Sequence, residues 1–189
     1  MQLRQEREYY TYADYCEWND GNRWELIDGE AYLMAAPGVN HQRLLGRIFR
    51  KFADYLDDKE CEVFIAPFDI RLNPDKADDT VVQPDLVVIC DPEKLIDGKA
   101  CKGSPDLVIE ILSPSTSKHD LTVKFNKYRQ AGVKELWYVY PSPDIQITKV
   151  YKWSNGEYLA YAYSSEDEIT VGILPELTID MKDIFKDGV

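Results

Sequence analysis

Two nearly uninterrupted apolar segments place the strongest constraint on this chain, because each contains an acidic residue in its interior. The first runs from Val81 to Ile89 and holds Asp85, and the second runs from Asp106 to Leu112 and holds Glu110. Segments of this length and composition are typical of strands that are covered on both faces. A charge inside such a strand is costly to bury without a partner. Asp85 and Glu110 therefore need a structural or chemical reason to be there.

The loop between these segments predicts how the two acids are arranged. The loop from Cys90 to Pro105 is long enough to return the chain antiparallel to the first strand. If Ile89 faces Asp106 at the mouth of the loop, counting back in register places Asp85 directly opposite Glu110. Side chains opposed in this way begin about 5 Å apart at Cβ. Asp106 and Glu110, in contrast, lie about 13 Å apart on one strand and cannot share an ion.

The expected closeness of Asp85 and Glu110 indicates a divalent cation, because two neighbouring carboxylates repel each other without one. Mg²⁺ and Mn²⁺ accept oxygen ligands, and Mg²⁺ is commonly held by one or two carboxylates together with substrate phosphate. The alternative is that each acid pairs with a basic residue or lies at a solvated strand end.

The helix that follows Glu110 offers a basic residue to this site. It is predicted over residues 118–131, closed by a glycine, and it carries Asp120, Lys124 and Tyr128 at i, i+4 and i+8 on one face. If that face turns toward the sheet, Lys124 reaches the pair of acids. The alternative is an ordinary surface ion pair between Asp120 and Lys124.

The remaining sequence predicts a mixed α/β sandwich in one domain, residues 1–189, with 44% hydrophobic residues for its core. The other predicted elements are a short helix (Tyr12–Trp18), a hairpin (Trp24–Ile27 and Glu30–Met34), a helix (His41–Leu56), a long strand (Glu62–Leu72), a buried strand (Val133–Tyr140) and a β-rich segment (Ile145–Asp180).

The net charge of −12 argues against broad, non-specific binding to nucleic acid, which depends on neutralising phosphates. Any nucleic-acid site must then be a local basic surface. Arg43, Arg47, Arg50 and Lys51 form one such surface on the helix His41–Leu56. The alternative is an ordinary solvated helix face.

The cysteines and the N-terminus indicate the compartment. Cys16, Cys61, Cys90 and Cys101 form no Cys-x-x-Cys pair, so we expect reduced, partly buried thiols rather than a zinc site or disulfides. The first ten residues are charged and polar, and no apolar run reaches the roughly 20 residues of a membrane span. We therefore expect a soluble, cytoplasmic protein.

Several motifs together resemble one known family over nearly the whole chain. They are Trp24-Glu25-Leu26-Ile27-Asp28-Gly29-Glu30, Asn40-His41, Gln83-Pro84-Asp85, residues 105–115 (PDLVIEILSPS), Lys124 with Tyr128, and Gly132-Val133-Lys134-Glu135-Leu136-Trp137. They resemble the Uma-two family, bacterial restriction endonucleases of the PD-(D/E)XK superfamily. The resemblance implies a restriction-endonuclease-like mixed β-sheet core flanked by helices, with a β-rich C-terminal extension.

The resemblance also implies roles for individual residues. Asp85 and Glu110 would hold the metal, with the backbone carbonyl of Ile111 as a further ligand. Nucleases of this class usually carry a lysine two residues after the second acid, where this chain has Leu112. In the family this lysine has migrated to the following helix, which makes Lys124 the base or phosphate stabiliser. The supporting positions are Glu30, His41, Gln83, Asp120 and Tyr128, although His41 could equally be a capping or packing residue.

The predicted function is Mg²⁺- or Mn²⁺-dependent hydrolysis of DNA phosphodiester bonds. The positive surface would come from the metal with Lys118, Lys124, Lys127 and Arg129. A homodimer is expected, because cutting both strands needs two active sites. Two alternatives stay open: a non-cutting accessory or DNA-binding protein of a defence or mobile-element system, and an enzyme that uses the same metal site on another substrate.

Overall fold

The computed structural model describes residues 9–113, 120–142 and 145–188. The helices in these ranges are α1 (Tyr12–Tyr15), α2 (Val39–Leu56), α3 (Phe125–Ala131) and α4 (Met181–Phe185). One π-helical turn, Asp120–Lys124, leads into α3, and 3-10 turns cover Pro92–Leu95 and Lys186–Gly188. The strands are β1 (Trp24–Ile27), β2 (Glu30–Leu33), β3 (Glu62–Ile65), β4 (Asp69–Arg71), β5 (Val81–Val82), β6 (Leu86–Ile89), β7 (Ala100–Lys102), β8 (Leu107–Ile111), β9 (Glu135–Ser142), β10 (Ile145–Ser154), β11 (Glu157–Ser164), β12 (Glu168–Thr170) and β13 (Thr178–Asp180).

The strands form two mixed sheets and one short hairpin pair. The larger sheet has the order β11-β10-β9-β8-β6-β3, in which only the β8–β9 pair is parallel. The smaller sheet has the order β2-β1-β5-β4-β7, in which only the β4–β7 pair is parallel. β12 and β13 pair with each other. The mixed α/β architecture predicted from the sequence is confirmed.

The central strands of the larger sheet are covered on both faces. One face, which includes Leu107 and Ile109, packs against α2 and the C-terminal segment. The other face, which includes Val108, packs against α3 and against the smaller sheet through Ile27 and Val82. Because side chains alternate along a strand, Glu110 shares the face of Val108. The acids therefore point toward the layer formed by α3 and the smaller sheet.

The register of β6 and β8 agrees with the one predicted. Leu86 pairs with Ile109 and Val88 pairs with Leu107, antiparallel. One further step in the same register places Asp85 opposite Glu110. Counting from the loop was sufficient here because an antiparallel ladder fixes every pair once one pair is known.

Two of the predicted strands are interrupted at prolines in the structure. The predicted strand Glu62–Leu72 is broken around Pro67, and its halves, β3 and β4, lie in different sheets. The predicted strand Val81–Ile89 is broken at Pro84 in the same way, giving β5 and β6. Proline has no N–H to donate to a strand ladder, so each proline ends one pairing and the chain crosses to the other sheet. The site residues Gln83 and Asp85 flank the second crossing.

The structure also corrects the prediction for the cysteines. Cys61 and Cys90 are joined by a disulfide, whereas Cys16 and Cys101 are free. Glu62 and Ile89 are paired in the β3–β6 ladder, and the two cysteines are one position further out on these strands. Their Cα atoms are consequently only 3.9 Å apart. The prediction of four reduced thiols missed this pair because it considered sequence spacing and not strand pairing.

Candidate active site

A cleft with a volume of about 360 Å³ lies where the two sheets meet the N-terminal end of α2. The segment Met34–Gly38 contributes to the lining, and in it Ala35, Ala36 and Gly38 have at most one side-chain carbon. Much of the remaining lining is polar. Its functional groups are Arg23, Glu25, His41, Gln83, Asp85, Glu110 and Lys124. The structure thus brings both predicted metal ligands, the predicted lysine and two of the supporting residues to one place.

Asp85 is held in the cleft by one of its two carboxylate oxygens. The backbone N–H of Ile111 donates to Asp85 Oδ2 over 2.7 Å, and His41 Nε2 lies 3.1 Å from the same oxygen. Within the described ranges, no group donates to Asp85 Oδ1. β8 and α2 therefore fix the orientation of the carboxylate and leave one oxygen available to a ligand in the cleft.

His41 is a cleft residue as well as the third residue of α2. Its Nε2 contacts Asp85, while its buried Nδ1 has no hydrogen-bond partner among the described residues. His41 is therefore not a capping residue of α2, whose N-cap is Gly38. Its contact instead links the N-terminal turn of α2 to the first acid.

Lys124 is buried between two carboxylates. Its Nζ lies 2.6 Å from Glu110 Oε1 and 2.9 Å from Glu25 Oε1, and the residue is only 2% exposed. It is therefore not part of an ordinary solvated helix surface, which was the alternative to a site role. A π-helical turn in place of an α-helical one marks the point where Lys124 enters the site. Its ammonium offsets the negative charge at the floor of the cleft.

Tyr128, one turn after Lys124, donates from its hydroxyl to Glu110 Oε1 over 2.5 Å. Burial, and then the negative charge of Glu110, raise the pKa of Tyr128 well above its usual range. Tyr128 is therefore a permanent hydrogen-bond donor at neutral pH. With Lys124 it fixes the position of Oε1 of Glu110.

Glu25 is a site residue that was not predicted. It lies in β1, is 1% exposed, and accepts hydrogen bonds from Lys124 and from the backbone N–H of Gln83. A usable signal existed in the sequence, because Glu25 is a single charge within the apolar run Trp24–Ile27. Glu25, like Asp85 and Glu110, is an acid inside an apolar strand, where a charge is costly to bury without a partner.

The side chain of Gln83 connects the cleft to the smaller sheet. Its Oε1 accepts from Arg23 Nε at 3.1 Å and Nη2 at 2.8 Å. Its Nε2 donates to Tyr15 Oη at 3.0 Å and to Asp69 Oδ1 at 2.9 Å. Both ends of the amide are thus engaged, and the side chain has one orientation.

Other predicted residues are placed away from this cluster. Glu30 is exposed and accepts from the hydroxyl of Tyr32, so the structure does not bring it to the acids. Lys127 pairs with Asp28 at 2.5 Å. The side chain of Asp120 and the whole of Lys118 lie outside the described residues.

The donor set suits a hard divalent cation that keeps part of its water. Among the described residues no group of three or more His, Cys, Asp or Glu side chains is arranged to hold a metal. Two carboxylates, Asp85 and Glu110, face each other, and the N–H of Ile111 points to Asp85. Since the N–H and C=O of a strand residue point to the same edge, the carbonyl of Ile111 is directed toward that side too. Mg²⁺ needs few protein ligands when substrate phosphate and water supply the rest, so these residues fit it.

The fold and the site define the class: this is a restriction-endonuclease-like nuclease fold. Residues 8–182 match the Uma2 family, described as "Putative restriction endonuclease", and the chain belongs to that family. The crystal structure of a "putative nuclease belonging to DUF820" from Anabaena variabilis superposes with a TM-score of 0.76 and 18% identity, covering 95% of this chain and 99% of that one.

Two relatives come from Synechocystis sp. The uncharacterized protein slr1290 is 28% identical over 160 residues, which is 82% of this chain and 81% of that protein. The uncharacterized protein sll1609 is 31% identical over 106 residues, which is 56% of this chain and 58% of that protein. The family and the fold together support a nuclease, which agrees with the resemblance found in the sequence.

Within the described ranges, no helix has the length and apolar character needed to cross a membrane.

Proposed function

We propose that this protein is an endonuclease that hydrolyses DNA phosphodiester bonds with Mg²⁺ or Mn²⁺. The observation that carries the proposal is the placement of Asp85, directly before β6, and Glu110, in the adjacent strand β8, in one cleft with a lysine 2.6 Å from the second acid. The family and the fold favour the same reaction class. DNA is the proposed substrate and a homodimer the proposed assembly, since cutting both strands requires two sites.

Asp85 and Glu110 would hold the ion, with the carbonyl of Ile111 as a third ligand. When bound, a divalent ion makes water more acidic and offsets charge on a phosphate. Asp85 offers Oδ1 while Ile111 and His41 keep Oδ2 fixed. Tyr128 and Lys124 hold Oε1 of Glu110, so the second acid does not need to reorganise when a ligand enters.

Lys124 would act by its charge. Its ammonium lies at the floor of the cleft, where it reduces the repulsion that Glu25 and Glu110 exert on an approaching phosphate. Its position between two acids favours stabilisation of developing negative charge over abstraction of a proton. These contacts therefore favour the role of phosphate stabiliser for Lys124 over the role of base.

Nicking of supercoiled plasmid tests the proposal, with wild type compared with Asp85→Asn in Mg²⁺, in Mn²⁺ and in EDTA. Asp85→Asn keeps the shape of the side chain and removes a charged ligand, so we expect a loss of at least about 100-fold in rate. EDTA should abolish nicking. Linear product formed directly from the supercoiled form would support two sites acting together.

Asp106→Asn is the matched control, because Asp106 is also preceded by proline and also accepts from a backbone N–H, yet it lies outside the cleft. It accepts from the backbone N–H of Cys90 at 2.8 Å and pairs with Lys134 at 2.6 Å. The control should lose stability and keep its nicking rate. Equal activity of Asp85→Asn and wild type would overturn the proposed metal site. A wild type that binds duplex DNA without nicking it would support the non-cutting alternative instead.

A further inference from the structure

Arg23 differs from the other basic groups of the cleft in its partner. Lys124 pairs with two carboxylates and His41 contacts a third. Arg23 donates from Nε and Nη2 to the amide oxygen of Gln83, which is neutral. Within the described part of the chain, Arg23 makes no ion pair. It is therefore the cleft residue whose positive charge is not offset by a direct acidic partner.

Arg23 belongs to the more exposed part of the cleft lining, because it is partly exposed whereas Glu25 and Lys124 are at most 2% exposed. It directly precedes β1, and its carbonyl accepts from the N–H of Met34 at the end of the hairpin. Arg23 and Glu25 are two residues apart on an extended chain, so their side chains share one face and their Cα atoms lie about 7 Å apart. Glu25 contacts Lys124 at the floor, and Arg23 is one step further out on the same side.

The guanidinium is held in one orientation without being neutralised. Two of its five N–H groups donate to Gln83, and Gln83 is fixed in turn by Tyr15 and Asp69. Three N–H groups are left over from the bond to Gln83, in a planar fork that matches the oxygens of a phosphate. Arg23 lines the cleft together with Ala35, Ala36 and Gly38, whose short side chains occupy little of its volume.

We propose that Arg23 binds a backbone phosphate of the nucleic acid adjacent to the one held at the acids, with Gln83 as its positioning residue. This rests on the proposed function and adds a substrate contact to it. An acidic protein needs such a contact, because its net charge of −12 otherwise opposes the approach of a polyanion. Arg23 provides this contact in the more exposed part of the cleft, whereas Lys124 is already occupied by Glu25 and Glu110.

Equilibrium binding of a fluorescent 20-base-pair duplex tests the proposal, measured by anisotropy in EDTA over a series of KCl concentrations. Arg23→Gln should raise Kd about tenfold, the loss of one charge-assisted contact. The slope of log K against log salt should fall by about 0.9, as expected when one phosphate contact is removed. Arg23→Lys keeps the positive charge but lacks the planar guanidinium donors. Compared with Arg23→Gln, it should therefore restore the salt slope of the wild type and only part of its affinity.

Lys59→Gln is the matched control, since it also removes one positive charge from an exposed position. Lys59 follows α2, whose length separates His41 from Leu56 by about 22 Å. The control should keep both the Kd and the slope. An unchanged slope in Arg23→Gln would overturn the phosphate contact and leave the nuclease proposal intact. A wild type that binds no duplex in EDTA even at the lowest salt would overturn the phosphate contact at Arg23, whereas the nuclease proposal is decided separately by plasmid nicking in Mg²⁺ or Mn²⁺.

Discussion

Lys124 is the residue on which the buried charges of the site depend. It lies within 3 Å of Glu25 and Glu110, and all three side chains are at least nine-tenths buried. Removing one charge from a buried cluster lowers the free energy of unfolding far more than removing one partner of a surface ion pair. The remaining charges stay buried without compensation. The stability of the site therefore rests on one lysine more than on either acid.

Lys124→Met should lower the free energy of unfolding by about 3–5 kcal/mol, because Glu25 and Glu110 then face each other without a cation. Urea denaturation followed by circular dichroism measures this. Adding Glu25→Gln to Lys124→Met should restore part of the loss. Lys127→Met is the control, since the Lys127–Asp28 pair is at the surface and should contribute at most about 1 kcal/mol. Similar losses for the two lysines would contradict a buried charge cluster.

The π-helical turn and helix α3 present Lys124 and Tyr128 to the sheet, and α3 ends sharply at Gly132. Gly132 adopts a left-handed conformation with φ of 81°, and its N–H returns to the carbonyl of Arg129. A glycine at this position was predicted from the sequence as the end of the helix. The structure adds that a methyl group there would meet no atom within 4 Å, so only the backbone conformation requires glycine.

Gly132→Ala should destabilise the protein by about 1 kcal/mol, because alanine in the left-handed region is strained even where there is space. Gly46→Ala is the control, and it is expected to change the stability in the opposite direction. Gly46 is exposed within α2 and a methyl group there also meets nothing within 4 Å, so alanine should stabilise the helix by about 1 kcal/mol. Thermal unfolding of both variants measures the two effects. A loss of stability in both variants would show that packing, rather than backbone conformation, determines the effect of alanine at these two positions.

The basic residues of α2 (Arg43, Arg47, Arg50 and Lys51) were considered above as a nucleic-acid surface, but two of them have a structural role. Arg47 donates to the carbonyls of Ile184 and Lys186, and Lys51 contacts Asp183 at 2.5 Å. Two of its four basic residues therefore fasten the C-terminal segment to α2. Only Arg43 and Arg50 are left to face a ligand, which reduces the case for this surface as a nucleic-acid contact.

At the scale of the whole molecule, the C-terminal segment belongs to the main core and is not an appendage to it. Ile169, Val171, Ile179 and Ile184 are almost fully buried, in the same cluster as residues of α2 and of the larger sheet. The β-rich C-terminal extension thus contributes side chains to the main core. The sheet face opposite the acids is completed by residues far along the chain.

Ile184→Ala should therefore cost about 2–5 kcal/mol, the range for truncating a buried aliphatic side chain. Chemical denaturation measures it. Ile145→Ala is the matched control, because Ile145 is 50% exposed and its truncation should cost less than about 1 kcal/mol. A small effect at Ile184 would mean that the C-terminal segment folds independently of the sheet.

The sequence was sufficient for the features that depend on neighbours along the chain. The apolar strands around Asp85 and Glu110, the antiparallel register between them, the hairpin at Asp28-Gly29 and the end of α3 at Gly132 all follow from local periodicity or short connections. Glu25 carries the same signal in a shorter strand, although it was not predicted as a site residue.

Tertiary structure alone decided which distant residues meet. The crossings at Pro67 and Pro84 send the halves of two predicted strands into different sheets, and this layering brings Glu25 to Lys124. No periodicity relates residue 25 to residue 124, because that contact depends on how two layers pack and not on the spacing within either. The sequence by itself determined which faces carry the acids. The packing of α3 and the smaller sheet onto that face determined what surrounds them.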